Sequence, residues 1–329
     1  MHEKSFLGRL FGRGEGEDVP PDVEIERSPE KRDKGEAEVG PEAAEAKFGR
    51  NVKAVLEFMR HETPGKITEG PKAGMSADFL TPEGQERARA KGPAITEPAV
   101  KDYASPKMRA QETVDLGLQN ADEDVRVINQ RLKCEAREAS VGQRQENEFL
   151  IRTKPELDTA KNFEKIMAPA KAWAEAEIAN GGKRSLYDLI VQYYLDHPEQ
   201  SAELGTTTPQ EAAEEIAARA GREIGMTERF YSGSNVRLRN ATHGPKLEPF
   251  LQRVMIVDGQ TGFKDLTEIG GVLNPGEGFE LAVDRKGKGD ENVNVRIRFR
   301  GQEYDIDIAE LERLADAYEQ RLEAAKKKE

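Results

Sequence analysis

The chain has 329 residues, with 62 Asp plus Glu against 50 Lys plus Arg, a formal net charge of −12, 36% hydrophobic residues and one cysteine. No run reaches the roughly 18 consecutive apolar residues of a membrane-spanning helix. Met1 to Arg13 has no apolar core of the kind a secretory leader carries, and the lone Cys134 excludes a disulfide framework or a multi-thiolate metal site.

The acidic balance argues against nucleic acid as a general partner. The expectation is therefore a cytoplasmic protein of one or two domains, without an integral membrane segment. Residues 14–48 combine twelve acids with five bases, a net −7, and almost no large apolar side chains. Such a run buries too little surface to offset its ordering entropy, so residues 1–48 read as a disordered acidic tail. Phe6, Leu7, Leu10 and Phe11 at its start could dock on a protein partner or a membrane surface; a frayed end is the simpler reading.

From Asn51 the pattern is that of a folded α/β unit, taken to span 49–329. Val52 to Met59 is an apolar run expected to form a buried strand. Thr81-Pro82-Glu83 opens a helix with Thr as N-cap and Pro at its first position, and Gly92-Pro93 stops it. A second strand is expected at Val100–Ala104, a helix at Met108–Leu118 and a third strand at Val125–Leu132. Three helical segments follow, near Pro155–Ala179, Ser185–Leu195 and Pro209–Phe230; the stretch at about 149–230 reads as a helical insertion. Val236–Thr242 is a further strand. Phe279–Val283 and Val293–Phe299 alternate as an antiparallel hairpin around the polar turn Asp284–Asn292, expected at the sheet edge. A charged helix at about Ala309–Lys327 ends the pattern. Strands alternating with helices imply a mainly parallel sheet flanked by helices.

Four segments put phosphate-binding or proton-handling groups just beyond strand ends, where open α/β sheets bind ligands. They are Arg60-His61-Glu62-Thr63, Ser105-Pro106-Lys107-Met108-Arg109-Ala110-Gln111-Glu112-Thr113, Glu138-Ala139-Ser140-Val141-Gly142 and Thr242-His243-Gly244. Each alone is unspecific: an Arg-His pair is usually incidental, Arg109 could be a solvated helix-start arginine, and His243 could be a buried core histidine. Their joint occurrence in this order is far more specific.

In that order the motifs resemble the histidine phosphatase superfamily, also called phosphoglycerate-mutase-like, in its branch with His-Gly at the late position. Arg60-His61 matches two positions of the family's Arg-His-Gly. Leu80-Thr81-Pro82-Glu83-Gly84-Gln85-Glu86-Arg87-Ala88 and Ser105 to Thr113 look like its helix start and its Ser-Pro-x-x-Arg-Ala-x-x-Thr segment. The resemblance covers roughly Val52 to Phe299 and implies a phosphomonoesterase acting on a small-molecule or protein phosphate. It implies His61 as nucleophile, Arg60 and Arg109 as phosphoryl clamps and His243 as a hydrogen-bond donor to phosphate. Glu138, with the family's Glu-x-x-x-Gly spacing to Gly142, is the implied acid and base; Glu135 and Glu62 are its rivals. Thr63 or Lys66 could add a phosphate contact.

The chemistry agrees with the resemblance. Guanidinium forks grip phosphoryl oxygens two at a time, and a neutral imidazole nitrogen can attack phosphorus. No cofactor and no metal is expected, because four histidines without close spacing build no metal site. A mutase and a non-catalytic phosphate-binding or scaffold protein are the alternatives. The second is motivated by the long acidic tail and by Glu62, which stands where the family has Gly and would repel an anion unless it points away. His197 reads as a helix cap, Trp173 and Tyr193-Tyr194 as helix packing, and the Asn240-Ala241-Thr242 sequon as unused.

Overall fold

The computed structural model describes residues 48–69, 76–128, 138–140 and 152–327, and for 126–128 and 138–140 the main chain alone. The expected tail to residue 47, Cys134 and Glu135 lie outside the described residues.

Strand β1 (Val52–Arg60) is apolar almost throughout, with Val52, Ala54, Leu56, Phe58 and Met59 all buried. A strand apolar on both faces must be covered on both faces, which places it inside a layered fold. Its neighbours confirm this: β1 pairs in parallel with β8 (Asn235–Thr242) and antiparallel with β11 (Gly278–Arg285). On the far side of β8 lies β4 (Ala99–Ala104), parallel to it, followed by β5 (Arg126–Ile128) and β6 (Glu138–Ser140). A two-residue strand β7 (Arg152–Thr153) also pairs in parallel with β4. Among the described residues β1, β8, β4, β5 and β7 thus form a parallel block.

The hairpin read in the sequence exists as β11 and β12 (Val293–Phe299), but it is not the edge of the sheet. β12 is followed outward by β13 (Gln302–Ile306), β9 (Met255–Val257) and β10 (Gln260–Thr261), all antiparallel. Among the described residues, the short strands β2 (Pro64–Lys66) and β3 (Ser76–Leu80) pair only with each other.

Helices cover the two faces. On one, α1 (Pro82–Ala90) packs on α2 (Met108–Gln119), and α1 starts as expected with the Thr81 hydroxyl accepting from Gly84 N–H at 3.0 Å. On the other lie α6 (Pro209–Met226), α7 (Leu247–Val254) and α8 (Ile308–Lys326), and here Phe58, Phe250 and Phe279 stack in the main core. Thr208 and Glu211 close a capping box at the start of α6.

The insertion contributes α3 (Phe163–Ala179), α4 (Leu186–Asp196) and α5 (Pro198–Glu203), with a small core of its own around Ile166, Ala170, Leu189 and Tyr194. Trp173 packs on Tyr193, and His197 caps α4, its ring stacked on Tyr193. Asn240 is fully buried between Arg219 and Glu223, which a glycosylated asparagine could not be.

The helix expected at Pro155–Ala179 is in fact broken. Pro155–Leu157 is a single tight turn, Asp158 is extended, and Asn162 takes a left-handed conformation before α3 begins. Three anchors fix the break: the Thr242 hydroxyl donates to the Leu157 carbonyl, and Lys246 Nζ donates to the carbonyls of Glu156 and Asp158. Among the described residues, no helix is long and apolar enough to cross a membrane.

Candidate active site

The register of the parallel block decides what meets at its carboxyl end. Arg60 stands beside Thr242, and Ala104 beside Ala241. The ladder continues one step beyond these pairs, with His61 N–H donating to Thr242 O and Ser105 N–H to Ala241 O, both at 2.9 Å. His61, His243 and Ser105 are therefore the first residues past three adjacent strand ends. Arg109 joins them from the first turn of α2, whose N-terminus brings the positive end of the helix dipole to the same place.

The two imidazoles face each other edge to face, with ring centroids 4.9 Å apart, and both are buried. Their hydrogen bonds fix the tautomers, because a guanidinium can only donate. Arg109 Nε lies 3.1 Å from His61 Nε2, so that nitrogen carries a lone pair; Nδ1–H donates to the Glu62 carbonyl at 2.6 Å. Arg109 Nη2 lies 3.4 Å from His243 Nδ1, so His243 carries its proton on Nε2 and donates to Ser105 Oγ at 2.7 Å. Burial, with Arg109 and Arg60 nearby, pulls His61 down to about 4 despite the opposing bond to the Glu62 carbonyl. Burial first, then His61, Arg109, Lys246 and Lys107, holds His243 far below the usual range.

Arg60 lies at the end of β1. Its Nη1 donates to Leu273 O at 2.8 Å, its guanidinium lies over the Tyr187 ring of α4, and its buried Nε has no partner among the described residues. Gly244 makes this packing possible: a Cβ there would come within 3.2 Å of Arg60 Cζ and 3.1 Å of the Tyr187 hydroxyl.

Glu62 turns away from the histidines. Its buried carboxylate bridges Arg87 Nε at 3.1 Å and Lys91 Nζ at 3.0 Å, beside Gly276, whose positive φ and lack of a Cβ leave room for it. The sequence-based objection to a carboxylate next to His61 is met by this pairing. Thr63 belongs to the same group, its hydroxyl accepting from Arg87 Nη2 at 2.5 Å, and Lys66 is exposed on β2. The structure thus brings His61, Arg109 and His243 into contact and sets Arg60 close by. It groups Thr63 with Glu62 instead. For Glu138 only the main chain is described, pairing with Ile128. We expect Glu62→Gln, which leaves two cations facing a neutral group, to cost about 1–3 kcal/mol of stability; thermal unfolding measures it.

Sequence reasoning missed Ser105 as a partner of His243, Asp158 as a partner of Ser105, and Tyr187 beneath Arg60. Ser105 opens the Ser-Pro-x-x-Arg-Ala-x-x-Thr segment; nothing local marks the other two.

No family model matches the sequence, and no curated protein does. Solved structures do. The chain is similar to a phosphoglycerate mutase from Bacillus anthracis, with 14% identity over 80% of this chain and 97% of that one and a TM-score of 0.41. It is similar to a mycobacterial glucosyl-3-phosphoglycerate phosphatase, with 13% identity, 75% and 98% coverage and a TM-score of 0.37. It is also similar to a phosphoserine phosphatase mutant from Entamoeba histolytica solved with phosphoserine, with 12% identity, 74% and 94% coverage and a TM-score of 0.36.

Proposed function

We propose that this protein is a phosphomonoesterase of the histidine phosphatase type, working through a phosphohistidine on His61. The observation that carries the reading is the tautomer of His61. Its Nδ1–H is held by the Glu62 carbonyl, so the lone pair of Nε2 is aimed at the place where Arg109 and His243 converge.

The chemistry follows from these groups. A phosphoryl group entering there displaces Arg109 from Nε2 onto its own oxygens, a stronger, charge-assisted pairing. The unpartnered Nε of Arg60 supplies a further donor. Nε2 then attacks phosphorus, the N–P bond forming as the ester P–O bond breaks and the leaving oxygen takes a proton from an acid. The resemblance assigns that acid to Glu138, which then activates the water that cleaves the N–P bond. His243 and the two arginines hold the charge on the equatorial oxygens. Because Glu62 is neutralised by Arg87 and Lys91, it does not oppose an anionic substrate, which removes one of the two motives for a binding-only protein.

Hydrolysis of an aryl phosphate in EDTA, with a panel of phosphomonoesters between about pH 5 and 8, tests the reading. Turnover is expected. Its complete absence contradicts the proposal, and transfer of the phosphoryl group to a second substrate instead of water would make the protein a mutase.

The pH profile is a separate prediction. His61 must be neutral to attack, and its folded-state value is depressed from 6.5 to about 4. The acid limb of kcat/KM set by His61 is therefore expected near pH 4, not near the ordinary histidine value. Between 6.5 and about 4 the unfolded chain binds a proton that the folded chain does not. The His61 contribution to stability is thus full above 6.5 and lost as the pH falls towards 4.

A further inference from the structure

We infer that Asp158, acting through the Ser105 hydroxyl, keeps the proton of His243 on Nε2 and serves as counter-charge to the imidazolium formed when a phosphoryl group binds at Nδ1. This positioning role rests on the phosphoryl site proposed above, and it concerns residues outside the clamp itself.

The geometry assigns every hydrogen in the relay. Ser105 Oγ accepts from the main-chain N–H of Lys107 at 3.1 Å and from His243 Nε2–H at 2.7 Å, which leaves its own hydrogen as the one group it can still donate. The acceptor on offer is Asp158 Oδ1, 3.3 Å away. Ser105 is completely buried, so water does not compete at Oγ. Asp158 is held in place independently of Ser105: Thr159 N–H donates to the same Oδ1 at 2.7 Å, and Lys246 Nζ grips the Asp158 carbonyl at 2.7 Å. The break that replaces the first turns of the expected helix is what puts this carboxylate beside the strand ends.

The charges around His243 show why a carboxylate is needed there. Besides burial, the groups that act on it most are His61, Arg109, Lys246 and Lys107, all of them cationic or able to become so. Lys246 is itself committed to Glu215. The Glu62 carboxylate is taken up by Arg87 and Lys91. Asp158 is thus the negative group wired to His243 among the described residues.

In its resting form Nδ1 holds a lone pair towards Arg109 and cannot donate to phosphate. When a phosphomonoester monoanion enters, its proton passes to Nδ1. The ester becomes a dianion, His243 becomes an imidazolium, and Nδ1–H now donates to a non-bridging oxygen. Nε2–H stays on Ser105, and the Ser105 hydrogen stays on Asp158, so no proton leaves the relay. Asp158 orients the imidazole and balances its charge; it does not touch the substrate.

Nitrogen-15 NMR of the histidines in the full chain, with inorganic phosphate as the probe, reads this directly and does not depend on turnover. Wild type is expected to show His243 protonated on Nε2 alone when free and on both nitrogens when saturated with phosphate. In Asp158→Asn and in Ser105→Ala the second proton should appear only at higher phosphate, with affinity about 10-fold weaker and kcat/KM about 10- to 100-fold lower. The double variant should lose no more than the worse single one, because both act through one relay. The acid limb set by His61 should stay where it is. A free His243 protonated on Nδ1, no second proton in phosphate-saturated wild type, or unaltered phosphate affinity in Asp158→Asn overturns the inference. A loss in Asp158→Asn that grows with leaving-group basicity does so too, by making Asp158 the acid itself. Failure of wild type to hydrolyse any phosphomonoester, with the relay behaving as stated, would instead remove the phosphatase reading alone.

Discussion

His61→Ala is expected to lower kcat by at least about 10⁴-fold on every phosphomonoester the wild type hydrolyses, because it removes the atom that bonds to phosphorus. The protein should nevertheless fold. His61 is buried, but its side chain bonds to its neighbour's carbonyl and to Arg109 and packs on the edge of the His243 ring, and it is not a member of the main apolar core. The variant should also retain phosphate binding, since the guanidiniums of Arg60 and Arg109 and the ring of His243 remain. Loss of turnover together with retained phosphate binding is the signature of a missing nucleophile. Loss of both would point to a collapsed site, and retention of turnover would exclude His61 as the nucleophile. Steady-state kinetics with a phosphate titration on the same samples separates the three.

Arg109→Ala carries the next largest effect. Arg109 touches both histidines, at 3.1 Å and 3.4 Å, and its Nη1 also donates to Ala77 O at 3.2 Å. Removing it takes away a fork of donors aimed at the developing phosphoryl charge, for which about 10²- to 10³-fold in kcat is the expected loss. It also removes one of the two cations that hold His61 protonation down, and it opens the site to water. The acid limb of kcat/KM should accordingly move up from about 4 towards the ordinary histidine value. Arg109→Lys should recover little of the rate, because an ammonium is a single point charge that cannot span two oxygens, yet it should restore most of the limb's position. A variant in which rate and limb move together regardless of charge would contradict this account of Arg109.

The parts of the site legible in the sequence were those carried by short range. Arg60-His61, Ser105 to Arg109 and Thr242-His243 each lie within a few residues of a strand end, so reading the strands correctly was enough to bring them together. What depends on distant partners was illegible. The direction of Glu62 is decided by Arg87, in the last turn of a separate helix, by Lys91 at that helix's C-cap, and by the space beside Gly276. Asp158 was hidden because the helical pattern from Pro155 to Ala179 reads as continuous. The break comes from tertiary anchors, Thr242 and Lys246 drawing the Glu156–Asp158 carbonyls out of helical register.

The same contrast holds for the fold. β1 is apolar enough to be seen alone, and β11 and β12 are visible through their alternation; β4 and β8 are readable as strands although they carry Lys101, Asp102, Arg237 and Arg239. β9, β10 and β13 are two to five residues long and gain their place only from pairing with one another and with β12, which is why the hairpin was expected at an edge it does not form.

The phosphoenzyme itself is the most direct object to measure. Wild-type protein mixed with an aryl phosphate, quenched in alkali within a turnover and digested, should yield a phosphate on the peptide containing His61. That phosphate should be lost in acid, kept in base, and absent from His61→Ala. Burst release of the phenol in proportion to enzyme should accompany it. Turnover with no phosphate on His61, or with an acid-stable phosphate on any other residue, would contradict the account.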